Sequence, residues 1–260
     1  MELIRGLHNL RSRHHGCVAT IGNFDGAHLG HQAVIGQLAE KADEMCLPAV
    51  VITFEPQPLE YFRPEAAPAR LTRFREKLHA LRRYAVDRVL CLPFNAKLAA
   101  LEPQEFIHRV LIDGLGVKYL VVGDDFRFGR QRAGNIEHLR EAGQQYGFQV
   151  VNMHTFEIDG ERVSSTRVRR ALEAGDMHAA ERLLGRDYRM SGRVAHGNKL
   201  GRELGFPTAN IHLHRKQTPL QGIFAVEVYG LDQEPLRAVA SLGTRPTVDG
   251  TRALLEVYIL

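Results

Sequence analysis

From Cys17 to Phe156 the chain alternates two hydrophobic rhythms. Short runs that are apolar almost throughout, CVATIG, AVVITF, DRVLCLPF, KYLVVG and FQVVNMHTF, are separated by segments whose apolar residues recur every three or four positions: GHQAVIGQLAEKADEM, TRFREKLHALRRYA, PQEFIHRVLIDGLG and NIEHLREAGQQYG. Val34, Leu38, Ala42 and Met45 trace one such stripe, the period of an amphipathic helix. A strand with no polar face must be covered on both sides, and a helix after each strand carries the chain back to add the next one in parallel. The pattern predicts a doubly wound, parallel-sheet α/β domain, closed by helices over 165–174 and 177–184.

Near Gly185 the rhythm changes. SGRVAHG, GIFAVEVYG, LRAVASLG and ALLEVYIL follow without helical segments between them and are punctuated by glycine. Strand runs in succession predict an antiparallel sheet, here a small β-barrel. The expected division is a first domain over 1–185 and a second over 186–260. ALLEVYIL ends the chain at Leu260 inside a predicted strand.

Composition narrows the class. With 44% hydrophobic and 25% charged residues in 260, this is an ordinary globular chain. No apolar run approaches the roughly 20 residues of a membrane span, and the N-terminus lacks a cleavable leader, so a cytoplasmic location and no membrane partner are expected. Cys17, Cys46 and Cys91 have no paired spacing; they read as buried small hydrophobes rather than disulfides or zinc ligands. The net charge of +4 is dispersed, which fits phosphate-bearing small molecules and does not favour nucleic acid.

The turn after the first strand of the helical half, GNFDGAHLGH, is the expected place for chemistry, because open α/β sheets bind ligands beyond the carboxyl ends of their strands. Gly22, Gly26 and Gly30 let backbone approach a ligand, and the following helix directs free N–H groups at an anion. His28 and His31 flank the same point. Imidazoles there can donate to phosphoryl oxygens as charge develops, each such donor being worth about 3 kcal/mol. Zinc would need a further ligand that this turn lacks. RVSSTRVRRAL supplies Ser164, Ser165 and Thr166 with Arg162, Arg167 and Arg169 nearby; alone it reads as a helix cap, and with the histidine turn it reads as a second phosphate grip.

In the other half, SGRVAHGNKLGRELGFPTANI crowds glycines into one span. Pro207 presets the backbone so that Thr208 and Asn210, two apart on an extended segment, can meet one cation; neutral oxygens beside phosphates suit Mg²⁺. Glu256 is the only carboxylate in its apolar strand. Alternation could simply place it outward.

GNFDGAHLGH with VSSTRVRRAL resembles the HxGH and SSTxxR motifs of the nucleotidyltransferase superfamily. TFEPQP and GDDFRFGRQRAGN narrow the resemblance to the FMN adenylyltransferase module of bacterial bifunctional riboflavin kinase/FAD synthetases. The resemblance implies that Gly22, Asn23, Phe24, Gly26, His28, His31, Arg162, Ser165 and Thr166 bind ATP, and that Asp25, Asp124 and Asp125 line the FMN side. Gln57 stands where the family usually has histidine. The stretch from Gly192 is similar to riboflavin kinase, through GFPTAN, GIFAVEV and SLGTRPT. That likeness implies Gly197, Gly201, Pro207 and Thr208 at ATP, Thr208 and Asn210 at Mg²⁺, and Glu256 as the base on the ribityl hydroxyl. It also implies a further strand and helix beyond Leu260, so the kinase half reads as incomplete. The implied substrates are ATP, riboflavin and FMN, with FAD as product.

Two other readings remain at this point: a nucleotidyltransferase for a different phosphorylated acceptor with a non-catalytic β domain, and a flavin or nucleotide binding module. GFPTAN argues against the first. Phe62, Phe126 and Phe128 are candidate neighbours of the flavin ring or members of the core.

Overall fold

The computed structural model describes every residue except 154, 196–206, 216, 248 and 249. The chain forms two compact units, one of residues 1–68 and 77–164, the other of residues 69–76 and 165–260.

The first unit is a six-stranded parallel sheet. Its strands are β1 (Glu2–Arg5), β2 (Cys17–Ile21), β3 (Ala49–Glu55), β4 (Arg88–Pro93), β5 (Val117–Gly123) and β6 (Gln149–Met153), in the order β1-β4-β3-β2-β5-β6. Every strand that the apolar runs predict is present. The helices are α1 (Leu29–Glu44), α2 (Pro58–Phe62), α3 (Phe74–Arg82, of which residues 77–82 belong to this unit), α4 (Ala96–Ala99), α5 (Pro103–Phe106) and α6 (Ile136–Tyr146). Alternation splits each strand between two apolar layers. Val18, Val51, Val89 and Val121 pack with Ile35, Leu38 and Ala42 of α1 and with Leu81 of α3. Ala19, Ile52, Leu90 and Leu120 pack with Phe106, Ile107, Leu111, Ile136 and Leu139. Strands buried on both faces take few polar side chains, Thr20 and Thr53 being buried in β2 and β3, which is why their runs are nearly all apolar.

The segment 103–116 departs from a simple helix. Pro103–Phe106 is α-helical and Ile107–Ile112 is π-helical, a widened turn that buries Ile107, Val110 and Leu111 together. Cys17 and Cys91 are buried as expected, and burial pushes the Cys17 thiol up to about 12. Cys46 corrects the sequence reading: it is exposed. It follows the end of α1 with φ of 52°, the left-handed position that terminates a helix, and its side chain is turned away from the core.

After the hairpin β7 (Glu157–Ile158) and β8 (Glu161–Arg162), which belongs to the first unit, the second unit contains α7 (Ser165–Glu173) and α8 (Met177–Leu184). Its sheet consists of β9 (Arg193–Ala195), β10 (Ala209–His212), β11 (Gly222–Val228), β12 (Leu236–Thr247) and β13 (Gly250–Ile259), all pairings antiparallel. The order is β11-β12-β13-β10-β9. The expectation of an antiparallel sheet holds. Closure into a barrel does not appear among the described residues, where β9 and β11 are the open edges.

Residues 69–76 are bound into this second unit by a polar cluster. Arg215 is buried and donates to the Arg70 carbonyl at 2.9 Å, to Tyr188 Oη at 3.0 Å and to Glu76 Oε2 at 2.6 Å. Tyr188 donates to the Leu71 carbonyl at 3.0 Å, and Ser191 N donates to the other Glu76 oxygen at 2.9 Å. Both terminal nitrogens of the buried guanidinium are met in this way, while its Nε has no hydrogen-bond partner in this structure.

Candidate active sites on two sheets

Strands β2, β3 and β4 run out to one side of the first sheet and β5 and β6 to the other, so β2 and β5 flank its switch point, where such sheets open a ligand crevice. GNFDGAHLGH leaves β2 there, and GDDF leaves β5 beside it. Their meeting is therefore a consequence of topology.

The β2 turn is tightly wound. Phe24, Gly26 and Ala27 have φ of 48°, 84° and 43°, and left-handed non-glycine residues cost on the order of 1 kcal/mol each, a strain that concentrates at ligand loops. Phe24 turns its ring into the core beside Ile35 and Val51. A Cβ on Gly22 would stand 3.1 Å from that ring, so glycine there makes room for Phe24 as well as for ligand. Asn23 is exposed, whereas Asp25 is almost fully buried.

His28 caps α1. Its Nδ1 accepts from the His31 backbone N–H at 3.3 Å, so its proton sits on Nε2, the atom able to donate to phosphate. The two rings stack with centroids 3.7 Å apart, and Phe24 lies 5.0 Å from the His31 ring. Burial first, then the positive potentials of His28, Lys77 and Arg162, hold His31 well below the usual imidazole range. His31 Nδ1 is buried with no hydrogen-bond partner in this structure. His31 is thus poised as a neutral donor, beside the His28 ring at the helix N-terminus. Gly30 completes the turn: a Cβ there would approach the Val163 carbonyl oxygen to 3.1 Å and the His28 ring to 3.3 Å.

The β5 exit is open and charged. Asp124 accepts from Thr155 Oγ1 at 3.0 Å, and Asp125 accepts from Arg162 of β8 at 2.9 Å. That hydrogen bond holds the Asp125 carboxyl below the ordinary carboxylate range. Arg162 and Asp125, predicted for nucleotide and flavin respectively, are therefore brought together. Phe126 stacks on Phe128 at 5.6 Å, with Phe128 in the core. Tyr61, Phe62 and Phe94 form a second ring cluster at 5.2–5.5 Å, where Phe62 is exposed. Gln57 is buried at the start of α2, and its Nε2 has no partner in this structure. Ser165 and Thr166 open α7 in the second unit.

An open cavity of about 580 Å³ lined by Arg11, His15 and Asp113 lies at the opposite rim, before β2 and β5 begin. Ligands of α/β sheets bind at the other end.

In the second unit, β10 and β13 pair so that Asn210 lies directly opposite Glu256, and β12 places Ser241 on Glu256's other side. Directly paired residues project from the same face of a sheet. The opposite face holds the apolar set Ala240, Leu242, Leu255 and Val257. Glu256 is thus turned away from the packed layer, as simple alternation requires, yet half-buried and in line with the candidate metal ligand. Thr208 is one side-chain period before Asn210, and both it and Pro207 are exposed. The Thr208 hydroxyl and Asn210 amide oxygens are of the neutral kind that suits Mg²⁺, which takes much of its shell from water and phosphate. Gly197 and Gly201 lie outside the described residues.

The sequence reading missed Lys77, which is fully buried in α3. The available signal was its place four residues before Leu81, on the inward stripe of a recognised helical segment.

Comparison with known proteins agrees in both halves. Residues 10–167 match the family model for FAD synthetase, and residues 184–260 match that for riboflavin kinase. Proteins named bifunctional riboflavin kinase/FMN adenylyltransferase from Pseudomonas fluorescens and Escherichia coli K12 are 54% and 52% identical, over 100% of this chain and 83% of each relative. A crystal structure described as a macrolide-efflux protein from Streptococcus pneumoniae aligns with a TM-score of 0.82 and 31% identity, covering 100% of this chain and 85% of that one. Among the described residues, no helix here is long and apolar enough to cross a membrane. With both family models matched in succession and relatives this similar along its whole length, the chain belongs to the bifunctional riboflavin kinase/FMN adenylyltransferase family.

Proposed function

We propose that the chain performs two ATP-dependent transfers on separate surfaces: riboflavin to FMN on the antiparallel sheet, then FMN to FAD at the carboxyl rim of the parallel sheet. The observation that carries this reading is the stacked His28–His31 pair at the switch point, where the neighbouring strand β5 runs out into Asp124 and Asp125 and Asp125 pairs with Arg162 of β8.

In the second transfer an FMN phosphate oxygen attacks the α-phosphorus of ATP in line. The bond to the bridging oxygen breaks, and pyrophosphate leaves. Such chemistry needs no side-chain nucleophile; alignment supplies about 7–11 kcal/mol of the barrier. Gly22, Asn23, Gly26 and the backbone of Phe24 let the triphosphate approach α1, while His28 and His31 donate to its oxygens as negative charge develops. Arg162 takes the nucleotide, and Asp25, Asp124 and Asp125 line the flavin side, Asp25 from a buried position. Phe62 and Phe126 offer ring surfaces to isoalloxazine. The resemblance further assigns Ser165 and Thr166 to the nucleotide.

In the first transfer Glu256 accepts the proton of the terminal ribityl hydroxyl as its oxygen attacks the γ-phosphorus, and ADP departs. Thr208 and Asn210 would hold Mg²⁺, whose charge screens the phosphates. Gly197, Gly201 and Pro207 complete the nucleotide loop in this reading, and the open sheet is the main part of a closed barrel. The division at 185/186, a cytoplasmic location, and the absence of nucleic-acid and membrane partners belong to the same proposal.

Incubation with MgATP and either riboflavin or FMN, followed by chromatography of the flavins, tests it. FMN and FAD from riboflavin, and FAD from FMN, are expected. Flavin binding without either product would leave a binding module in place of an enzyme.

A further inference from the structure

Lys77 is buried completely, an unusual position for a lysine. Its place follows from the direction of its helix. The part of α3 that belongs to the first unit begins at Lys77 and runs back toward the start of β4, so Lys77 lies at its end nearer the carboxyl rim of the sheet. Leu78 and Leu81 pack in the same apolar layer as Ile35 and Leu38 of α1. Lys77 precedes Leu81 by one turn on that inward stripe. Helix α1 runs in the same sense over the same face, with His28 and His31 at its own beginning. Thr53 and Cys91 pair across β3 and β4 and, by alternation with Val51 and Val89, point from that face at the same end. The ammonium and the two imidazoles are therefore starting-turn side chains of two helices laid on one face at one rim.

We propose that Lys77 is a positioning residue for adenylyl transfer, a fixed positive charge behind the histidine pair that sets the potential the imidazoles and the incoming triphosphate experience.

The electrostatics agree with the placement. Lys77 is felt at both His31 and Cys91, raising the cost of protonating the one and lowering that of ionising the other. The charged groups acting on His31 are His28 from its own turn, Lys77 from α3 and Arg162 from β8. A group whose native value is depressed stays neutral as pH falls until that lowered value is reached. Removing one positive neighbour raises the value and brings protonation, with loss of the acceptor and repulsion inside the stack, to higher pH.

The inference rests on the adenylyltransferase reading, and the experiment separates the two. FAD formation from FMN and MgATP is followed against pH in wild type, Lys77→Met and Lys77→Arg, with thermal melting of each. If wild type makes no FAD, the functional reading fails. If it does, Lys77→Met should lower kcat/KM for ATP by roughly tenfold, mainly through KM, and move the acid limb upward by about half a unit to one unit. Lys77→Arg, which keeps the charge, should leave the limb where wild type has it. A Lys77→Met enzyme with an unmoved limb overturns the proposal. So does one that unfolds, because the residue is then structural.

Discussion

The two candidate sites are built by opposite means. At the parallel sheet, one turn of consecutive residues from Gly22 to His31 makes most of the proposed phosphate side, with helix dipole and imidazole as its polar elements. On the antiparallel sheet, Asn210, Ser241 and Glu256 come from three strands and meet only because the ladders are in register. The first site is encoded locally; the second is a property of pairing. A slip of one residue in β13 would send Glu256 to the apolar face and bring Leu255 or Val257 out in its place.

The comparison is sharpest where one site can be disabled alone. Glu256→Gln keeps shape and register while removing the base; riboflavin phosphorylation should fall by about a thousandfold, within the range for a lost general base, with FAD formation from FMN unchanged. Loss of both activities would end the claim of separate surfaces. His28→Ala is the mirror experiment, removing an N-cap and a phosphate donor together. FAD formation should drop by about a hundredfold while riboflavin phosphorylation stays near normal, both measured by flavin chromatography. Parallel loss in the two assays would mean that the histidine serves folding and not phosphate.

That contrast also explains what could be read in advance. Unbroken apolar strands and three-four periodicity announce the parallel half because burial on both faces of a strand and an inward stripe on a helix are each written within a single segment. The GNFDGAHLGH turn is legible for the same reason, since glycines, a cap and a helix start fall within one stretch. Strand β10 escaped the apolar pattern: ANIH is too short and too polar to register as a strand, although it carries Asn210. Lys77 and Arg215 escaped because charged residues read as solvent-facing until packing shows otherwise. Cys46 misled through composition, where the left-handed helix end decided. Pairing partners such as Asn210 and Glu256 have no local signature, and the motifs matched to a family supplied what periodicity did not.

A weaker perturbation asks whether the row on the antiparallel sheet acts as a unit. Asn210→Ala should leave β10 paired, since its backbone groups hold the ladder, but remove one oxygen from the candidate metal position. The Mg²⁺ concentration for half-maximal riboflavin phosphorylation should rise about tenfold, as loss of a supporting ligand does, with FAD formation unaffected. An unchanged Mg²⁺ dependence would detach Asn210 from the metal and leave Glu256 without its neighbour in the mechanism.

The smallest expected effect lies at Asp125, where the two predicted roles meet in one ion pair with Arg162. Both side chains are largely solvent-exposed, so the pair adds little to stability. Its depressed carboxyl value means that the contribution is present above the ordinary carboxylate pKa and lost as pH falls through the lowered one. Asp125→Asn should therefore shift the melting temperature by no more than about 2 °C at neutral pH, a difference that vanishes in acid. If the carboxylate faces flavin and merely parks Arg162 in the absence of nucleotide, KM for FMN should rise about threefold and KM for ATP should hold or fall slightly, because the guanidinium is released toward phosphate. An equal rise in both constants would instead make the pair a fixed part of the nucleotide grip. The histidine turn would then be only half of a phosphate site whose other half is Arg162 held in place by Asp125.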